Sequence, residues 1–175
     1  MSLAVDPIPK PFSVGILLAL LAILLGFGLG GVFGAAEDQI KQVLESSGTA
    51  VLDTVYHGDV AKKDAVVAKS WEYLQRAHLH GGAIGTAAMA AIAALVLLSR
   101  RGLLACLSAL AFGAGALLYS SFWLWAALKA PGLGSTGAAK EALEFIAVPG
   151  AGLSMLGAAG TLLVVARDAL LAGRA

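Results

Sequence analysis

The sequence predicts an all-α integral membrane protein, built as a bundle of four transmembrane helices. Of its 175 residues, 59% are hydrophobic and only 13% are charged, whereas an ordinary soluble domain has about 25% charged residues. Four long apolar runs each exceed the roughly 20 residues that a helix needs to cross the hydrocarbon core. The 22 glycines are typical of transmembrane helices, in which small residues allow close backbone packing.

The four apolar runs belong to one membrane domain, residues 1–175. The predicted spans cover residues 14–36, 78–99, 103–128 and 144–166. A proline-rich arm precedes the first span, and Ser13 is a candidate N-cap. The alternative for this first run is a secretory signal peptide, because small residues at positions 34–36 suit a cleavage site. We expect the run to be retained, since it is longer than the apolar core of a usual signal peptide.

Residues 37–77 form the main polar region, and they predict that the first two helices extend beyond the membrane as a helical hairpin. The pairs Glu37–Lys41 and Lys41–Glu45 have the i,i+4 spacing that supports a helix. Asp59 is a candidate N-cap for the second helix. No proline follows it up to residue 99, so we expect this helix to run unbroken into the second span, and to be the most buried of the four.

Charge bias predicts the orientation in the membrane. Arg100 and Arg101 lie in a short loop, and Arg167 and Arg174 follow the last span. Positively charged loops stay in the cytoplasm, so we expect both termini to be cytoplasmic and the hairpin to be extracytoplasmic, in a bacterial inner membrane. An aromatic belt at the far interface is expected from one group of residues: Tyr119, Phe122, Trp123 and Trp125. We expect residues 129–139 to form an external loop and Pro149 to kink the last span.

Glycines at helical spacing predict packing interfaces on two of the spans: Gly26, Gly30 and Gly34 on the first, and Gly81 and Gly85 on the second. A helix face without side chains allows another helix to approach closely. The partner is either the neighbouring span of the same chain or a helix from another subunit or second copy.

The candidate binding residues lie at the extracytoplasmic mouth of the bundle. His78 continues an apolar stripe of the second helix, so it is expected to point inward, whereas His80 lies about 200° away around the helix. With His57, these histidines are candidate ligands for haem b or a transition metal. A mixed nitrogen and oxygen site for zinc, copper or iron would draw on His57, His78, His80, Glu37, Glu141 and Glu144.

The alternative is that these polar residues are structural. An interfacial histidine can hydrogen-bond a neighbouring helix, Arg76 has Glu72 one turn before it, and Lys140 has Glu144 one turn after it. No nucleophile motif, phosphate loop or dinucleotide fingerprint occurs. We therefore expect no catalytic activity of its own.

Two classes of function remain. The first is a non-catalytic subunit of a larger membrane assembly, for which a respiratory or other redox complex is one setting. The second is a haem- or metal-binding protein for electron transfer or sensing. The expected partners are the lipid bilayer and either other membrane subunits or a second copy. A net charge of +1 argues against nucleic acid.

Overall fold

A computed structural model describes residues 8–98 and 102–172. These residues form five helices: α1 (Lys10–Thr49), α2 (Val60–Leu98), α3 (Leu103–Leu133), α4 (Thr136–Glu141) and α5 (Glu144–Ala172). Four of them, all except α4, are long and apolar enough to cross a membrane, which confirms the predicted helical class and the presence of four helices that could span the bilayer. The arginine-bearing loop at residues 100–101, on which the predicted orientation depends, lies outside the described residues, as does Arg174.

The first helix begins earlier than predicted. Pro9 occupies the N-cap position of α1 without a side-chain hydrogen bond, and a second proline lies in the first turn. Proline suits this position because its missing N–H would have had no partner there. Ser13 is therefore inside the helix, and its prediction as the cap was wrong. The helix has non-helical dihedral angles at Ala36 (φ −146°, ψ 30°), where the apolar run gives way to the polar segment.

The second helix follows the prediction closely. The Oδ1 atom of Asp59 accepts a hydrogen bond from the backbone N–H of Lys62 at 2.9 Å, as expected of an N-cap residue. The helix then runs 39 residues to Leu98. It is antiparallel to α1: Gly48 lies against Lys63, Gly26 against Gly82 and Gly15 against Ile92.

The connection after the third span is shorter and more helical than predicted. Instead of a loop over residues 129–139, α3 continues to Leu133. Its C-cap residue, Gly134, has a left-handed backbone (φ 70°). Ser135 then caps α4 by accepting hydrogen bonds from two backbone N–H groups. The last helix, α5, runs from Glu144 to Ala172 and contains Pro149.

The central helix of the fold is α3, and the prediction that α2 is the most buried was wrong. In the apolar 18-residue stretch of α3, 44% of the residues are buried, whereas 28% are buried in the corresponding stretch of α2. One side of α3 packs on α1, where Gly113 lies against Gly15, and another packs on α5, where Gly115 lies against Ser154. Small residues at both contacts let the helix have neighbours on several sides.

The i,i+4 ion pairs of the polar segment form only in part. Lys41 pairs with Glu37 as predicted, but Glu45 pairs with Lys63 of the other helix rather than with Lys41. Among the described residues, the structure also forms no ion pair between Lys140 and Glu144, which lie on either side of the break between α4 and α5. The contact between Glu45 and Lys63 fixes the two helices to each other instead.

Candidate functional site

His78 is packed against the glycines of α1. Its Nδ1 atom lies 2.7 Å from the carbonyl oxygen of Gly26. A carbonyl can only accept, so Nδ1 carries the proton and Nε2 keeps its lone pair in the neutral ring. A methyl group on Gly30 would lie 2.7 Å from Cε1 of His78, so the absence of a side chain there makes room for the ring. Phe33 contacts the ring edge-on at 5.8 Å.

His80 faces α3 rather than α1. Its Nδ1 atom lies 2.7 Å from the carbonyl oxygen of Arg76, one turn earlier in the same helix, so this nitrogen is also the donor. The ring is edge-on to Tyr119 at 5.2 Å and nearly parallel to Trp123 at 6.0 Å. The two histidines therefore occupy different helix interfaces, in agreement with their angular separation on α2.

The other candidate ligands do not join either histidine. His57 is exposed in the connection between α1 and α2, with a left-handed backbone (φ 56°). Glu37 is exposed and paired with Lys41, and Glu141 and Glu144 are exposed at the end of α4 and the start of α5. In the part of the chain that the structure describes, no three His, Cys, Asp or Glu residues come together as a metal-binding group.

Arg76 contacts aromatic rings rather than Glu72, the partner that the structural alternative offered it. Glu72 is bound instead by Lys69. The guanidinium carbon of Arg76 lies 4.9 Å from the ring centre of Trp123 and 5.3 Å from that of Tyr73, distances at which cation–π attraction is effective. The cation is therefore held between α2 and α3 without a carboxylate.

These rings form an aromatic cluster that the sequence analysis did not identify. It consists of Tyr73, His80, Tyr119, Phe122 and Trp123, with neighbouring ring centres between 4.9 and 6.1 Å apart. Trp123 was predicted to anchor the belt, but it is only 9% exposed, whereas Trp125 is 49% exposed. A signal was present in the spacing, because Tyr73 and His80 are seven residues apart and Tyr119 and Trp123 four, so each pair shares a helix face.

The glycines divide into an inner and an outer set. A methyl group on Gly81 would lie 2.8 Å from backbone atoms of Ala22 and Gly26, and one on Gly85 would lie 2.8 Å from the side chain of Ile23. With Gly30 against His78, these residues place α1 and α2 in close contact. Gly34 is different: within residues 8–98 and 102–172, no atom lies within 4 Å of its Cβ position. The same is true of Gly28 and Gly31, so α1 presents glycine to the outside of the bundle.

An open apolar groove of about 570 Å³ lies between α1 and α2 in the polar segment. Its apolar lining includes Leu44, Val67, Ala68 and Trp71, and its charged lining includes Lys41, Glu45 and Asp64. The Nζ atom of Lys41 lies 5.1 Å from the Trp71 ring centre. Open apolar surface of this kind beside charged residues is typical of a protein contact.

Two interactions hold the end of the helix pair next to this groove. The ammonium group of Lys63 binds Glu45 and Asp64, and the hydrogen bonds that it donates to these carboxylates raise the pKa of Lys63 above its ordinary value of 10.5. The Tyr56 hydroxyl donates a 2.7 Å hydrogen bond to the carbonyl oxygen of Pro131, near the end of α3. Burial raises the pKa of Tyr56 above 10.0, partly opposed by the positive charge of Lys63.

Comparisons of the chain with protein-family models, curated proteins and solved structures find no match.

Proposed function

We propose that this chain is a non-catalytic membrane subunit that binds another transmembrane helix through the outer face of α1. The observation that carries the proposal is the outer glycine set, Gly28, Gly31 and Gly34, whose Cβ positions have no atom of the described residues within 4 Å. In the apolar 18-residue stretch of α1, only 17% of the residues are buried, the smallest share among the four long helices.

The shape of this face supports a helix as its partner. Leu24 and Phe27 are 67% and 65% exposed and lie beside the outer glycines on the helix. Large side chains next to a groove without side chains give a surface into which a second helix can pack closely, whereas lipid gains little from such a groove. The partner is another subunit or a second copy of this chain, and its mass distinguishes the two.

The membrane arrangement proposed with this function follows the charge bias of the sequence. The four long helices span the bilayer with both termini in the cytoplasm, and residues 37–77 lie on the extracytoplasmic side of a bacterial inner membrane. The groove between α1 and α2 then faces water next to the membrane. There it offers the same partner a second, extramembrane contact through its apolar lining.

The test is isolation of the full chain from native membranes in a mild detergent, with substitutions on the outer face. We expect the wild type to elute with a partner of defined mass. Gly28→Leu and Gly31→Leu should release this partner, because leucine fills the groove from positions where an added Cβ atom meets no atom of the described residues within 4 Å. Gly152→Leu is the matched control, since Gly152 of α5 is equally open. A wild type that is monomeric and alone in native membranes would contradict the proposal.

A second candidate function, a haem- or metal-binding protein, is favoured by the hydrogen bonds of the histidines. In both His78 and His80 the Nδ1–H is bound to a backbone carbonyl, the arrangement that orients the other nitrogen of a ligating histidine. Because the two rings face different helices, each would need its remaining ligands from a partner. The test is a visible spectrum, oxidised and reduced, with elemental analysis. Colour or stoichiometric metal that His78→Ala removes would support this function, and a colourless, metal-free assembly would reject it.

A further inference from the structure

Arg76 is a cation held in a fixed place without a counter-ion. It contacts the rings of Trp123 and Tyr73, and no carboxylate of the described residues lies within ion-pairing distance of it. A carboxylate would accept hydrogen bonds from the guanidinium N–H groups, whereas an aromatic ring contacts the face of the guanidinium. The N–H groups of Arg76 therefore stay available to a further acceptor. The side chain is half-buried, so an anion from outside can reach it.

The surroundings of Arg76 are short of acceptors. The indole N–H of Trp123 is buried and has no hydrogen-bond partner in the described part of the chain. The Nδ1–H of His80 already uses the carbonyl oxygen of Arg76. The carboxylate one turn before Arg76, that of Glu72, is paired with Lys69, so its charge is already compensated.

The position of Arg76 along the helix indicates where such an anion would come from. No Asp, Glu, Lys or Arg lies between Ala77 and Leu98, so Arg76 is the last charge before the apolar part of α2. Trp123, whose ring it contacts, lies two residues before the exposed Trp125 on α3, and exposed Trp side chains prefer the depth of the lipid headgroups. A guanidinium at this depth is level with the phosphate groups of the bilayer.

From this arrangement we propose that Arg76 and the aromatic cluster bind the phosphate group of an anionic phospholipid. The guanidinium donates to the phosphate oxygens, a contact that Arg makes with two parallel N–H···O bonds. Tyr73 and Trp123 hold the guanidinium in place through their rings. The site does not depend on the partner proposed for α1, because it lies between α2 and α3.

The test is a titration of the delipidated, full-length protein in a maltoside detergent with short-chain phosphatidylglycerol, followed by native mass spectrometry. We expect the wild type to bind phosphatidylglycerol more tightly than phosphatidylcholine, whose choline group is repelled by Arg76. Arg76→Gln should weaken binding about tenfold, the usual effect of losing a hydrogen bond to a charged group. Lys62→Gln makes the same charge change on an exposed residue of α2 and should leave binding unchanged.

A lysine variant and a phosphate competitor separate the role of the guanidinium from that of charge alone. Arg76→Lys is the variant to use if Arg76→Gln does not fold, because it retains the positive charge. It should bind phosphatidylglycerol more weakly than wild type because lysine lacks the planar pair of donors. Equal binding of both lipids by the wild type would overturn the proposal, as would equal binding of phosphatidylglycerol by wild type and Arg76→Lys. Inorganic phosphate is added as a competitor. If it binds at Arg76 while phosphatidylglycerol does not, the lipid assignment is wrong.

Discussion

Replacement of Gly81 by alanine is expected to push α1 and α2 apart. The new methyl group would lie 2.8 Å from three backbone atoms of the facing helix, the carbonyl oxygen of Ala22 and the N and Cα atoms of Gly26. Non-bonded carbon atoms prefer separations of about 3.5–4.0 Å. Because all three atoms belong to the backbone, no side chain can turn aside, and the helices must separate by roughly 0.7 Å or more.

The expected cost follows from two opposing effects. Overpacking of a close interface typically costs about 1–3 kcal/mol, and alanine stabilises a helix by about 1 kcal/mol relative to glycine. Gly81→Ala should therefore lower the free energy of unfolding by about 0–2 kcal/mol relative to wild type, and by about 1–3 kcal/mol relative to an alanine variant at a glycine without a clash. Gly31→Ala is the matched control, because its new methyl group meets no atom within 4 Å. It adds helix propensity without a clash and should not destabilise the monomer.

The assay is reversible unfolding in mixed micelles, with increasing SDS in a maltoside detergent and helix content followed by circular dichroism. Both variants are compared with wild type at the same total detergent concentration. If Gly81→Ala is as stable as Gly31→Ala, then α1 and α2 do not approach as closely as the structure has them. The argument for an inner glycine set would then fail.

Other predictions concern the contacts at the end of the polar segment. Tyr56→Phe removes the hydrogen bond to Pro131, so it should lower the free energy of unfolding by about 0.5–1.5 kcal/mol. It should also speed amide hydrogen exchange in residues 50–59, and unchanged exchange would show that the bond does not hold this segment. The pKa values of Tyr56 and Lys63 are both raised by folding, so the folded state retains these protons more strongly than the unfolded state does. The stability that these two protonated groups contribute should therefore be fully present below about pH 10 and fall as the pH rises through the folded pKa values. The fall should be smaller in Tyr56→Phe. Thermal unfolding across the alkaline range tests this, and an equal fall in that variant would contradict the assigned role of Tyr56. Lys63→Met should separate the ends of α1 and α2, measured as faster exchange near Glu45, whereas Lys62→Met should not.

The parts of the fold that depend on composition and local spacing were predictable. Uncharged runs identified the four long helices, and Asp59 marked the start of α2 because capping involves only neighbouring residues. The short helix α4 was also within reach, since Ser135 precedes it as a typical cap.

Contacts between helices were harder to predict, because small residues are spread over all four spans. Hydropathy does not distinguish a helix with neighbours on several sides from one with few, so the central position of α3 was not recognised. Arg76 had a suitable carboxylate one turn away, but rings from α3 and its own helix compete for it in the folded chain. Of the site residues, local spacing correctly separated the faces of His78 and His80, while the neighbours of each ring depend on tertiary packing.

The central position of α3 has a consequence for biosynthesis. Both α1 and α2 leave the ribosome before α3, so their mutual contact at Gly26 and Gly81 can form while the surface that later receives α3 is still open. Gly15 belongs to that surface, since it ends up against Ala109 and Gly113 of α3. In the proposed membrane arrangement, the helical pair therefore persists in the bilayer with part of its packing surface uncovered until the third helix is inserted. The interval between the two insertions is when the nascent chain is most open to a wrong partner.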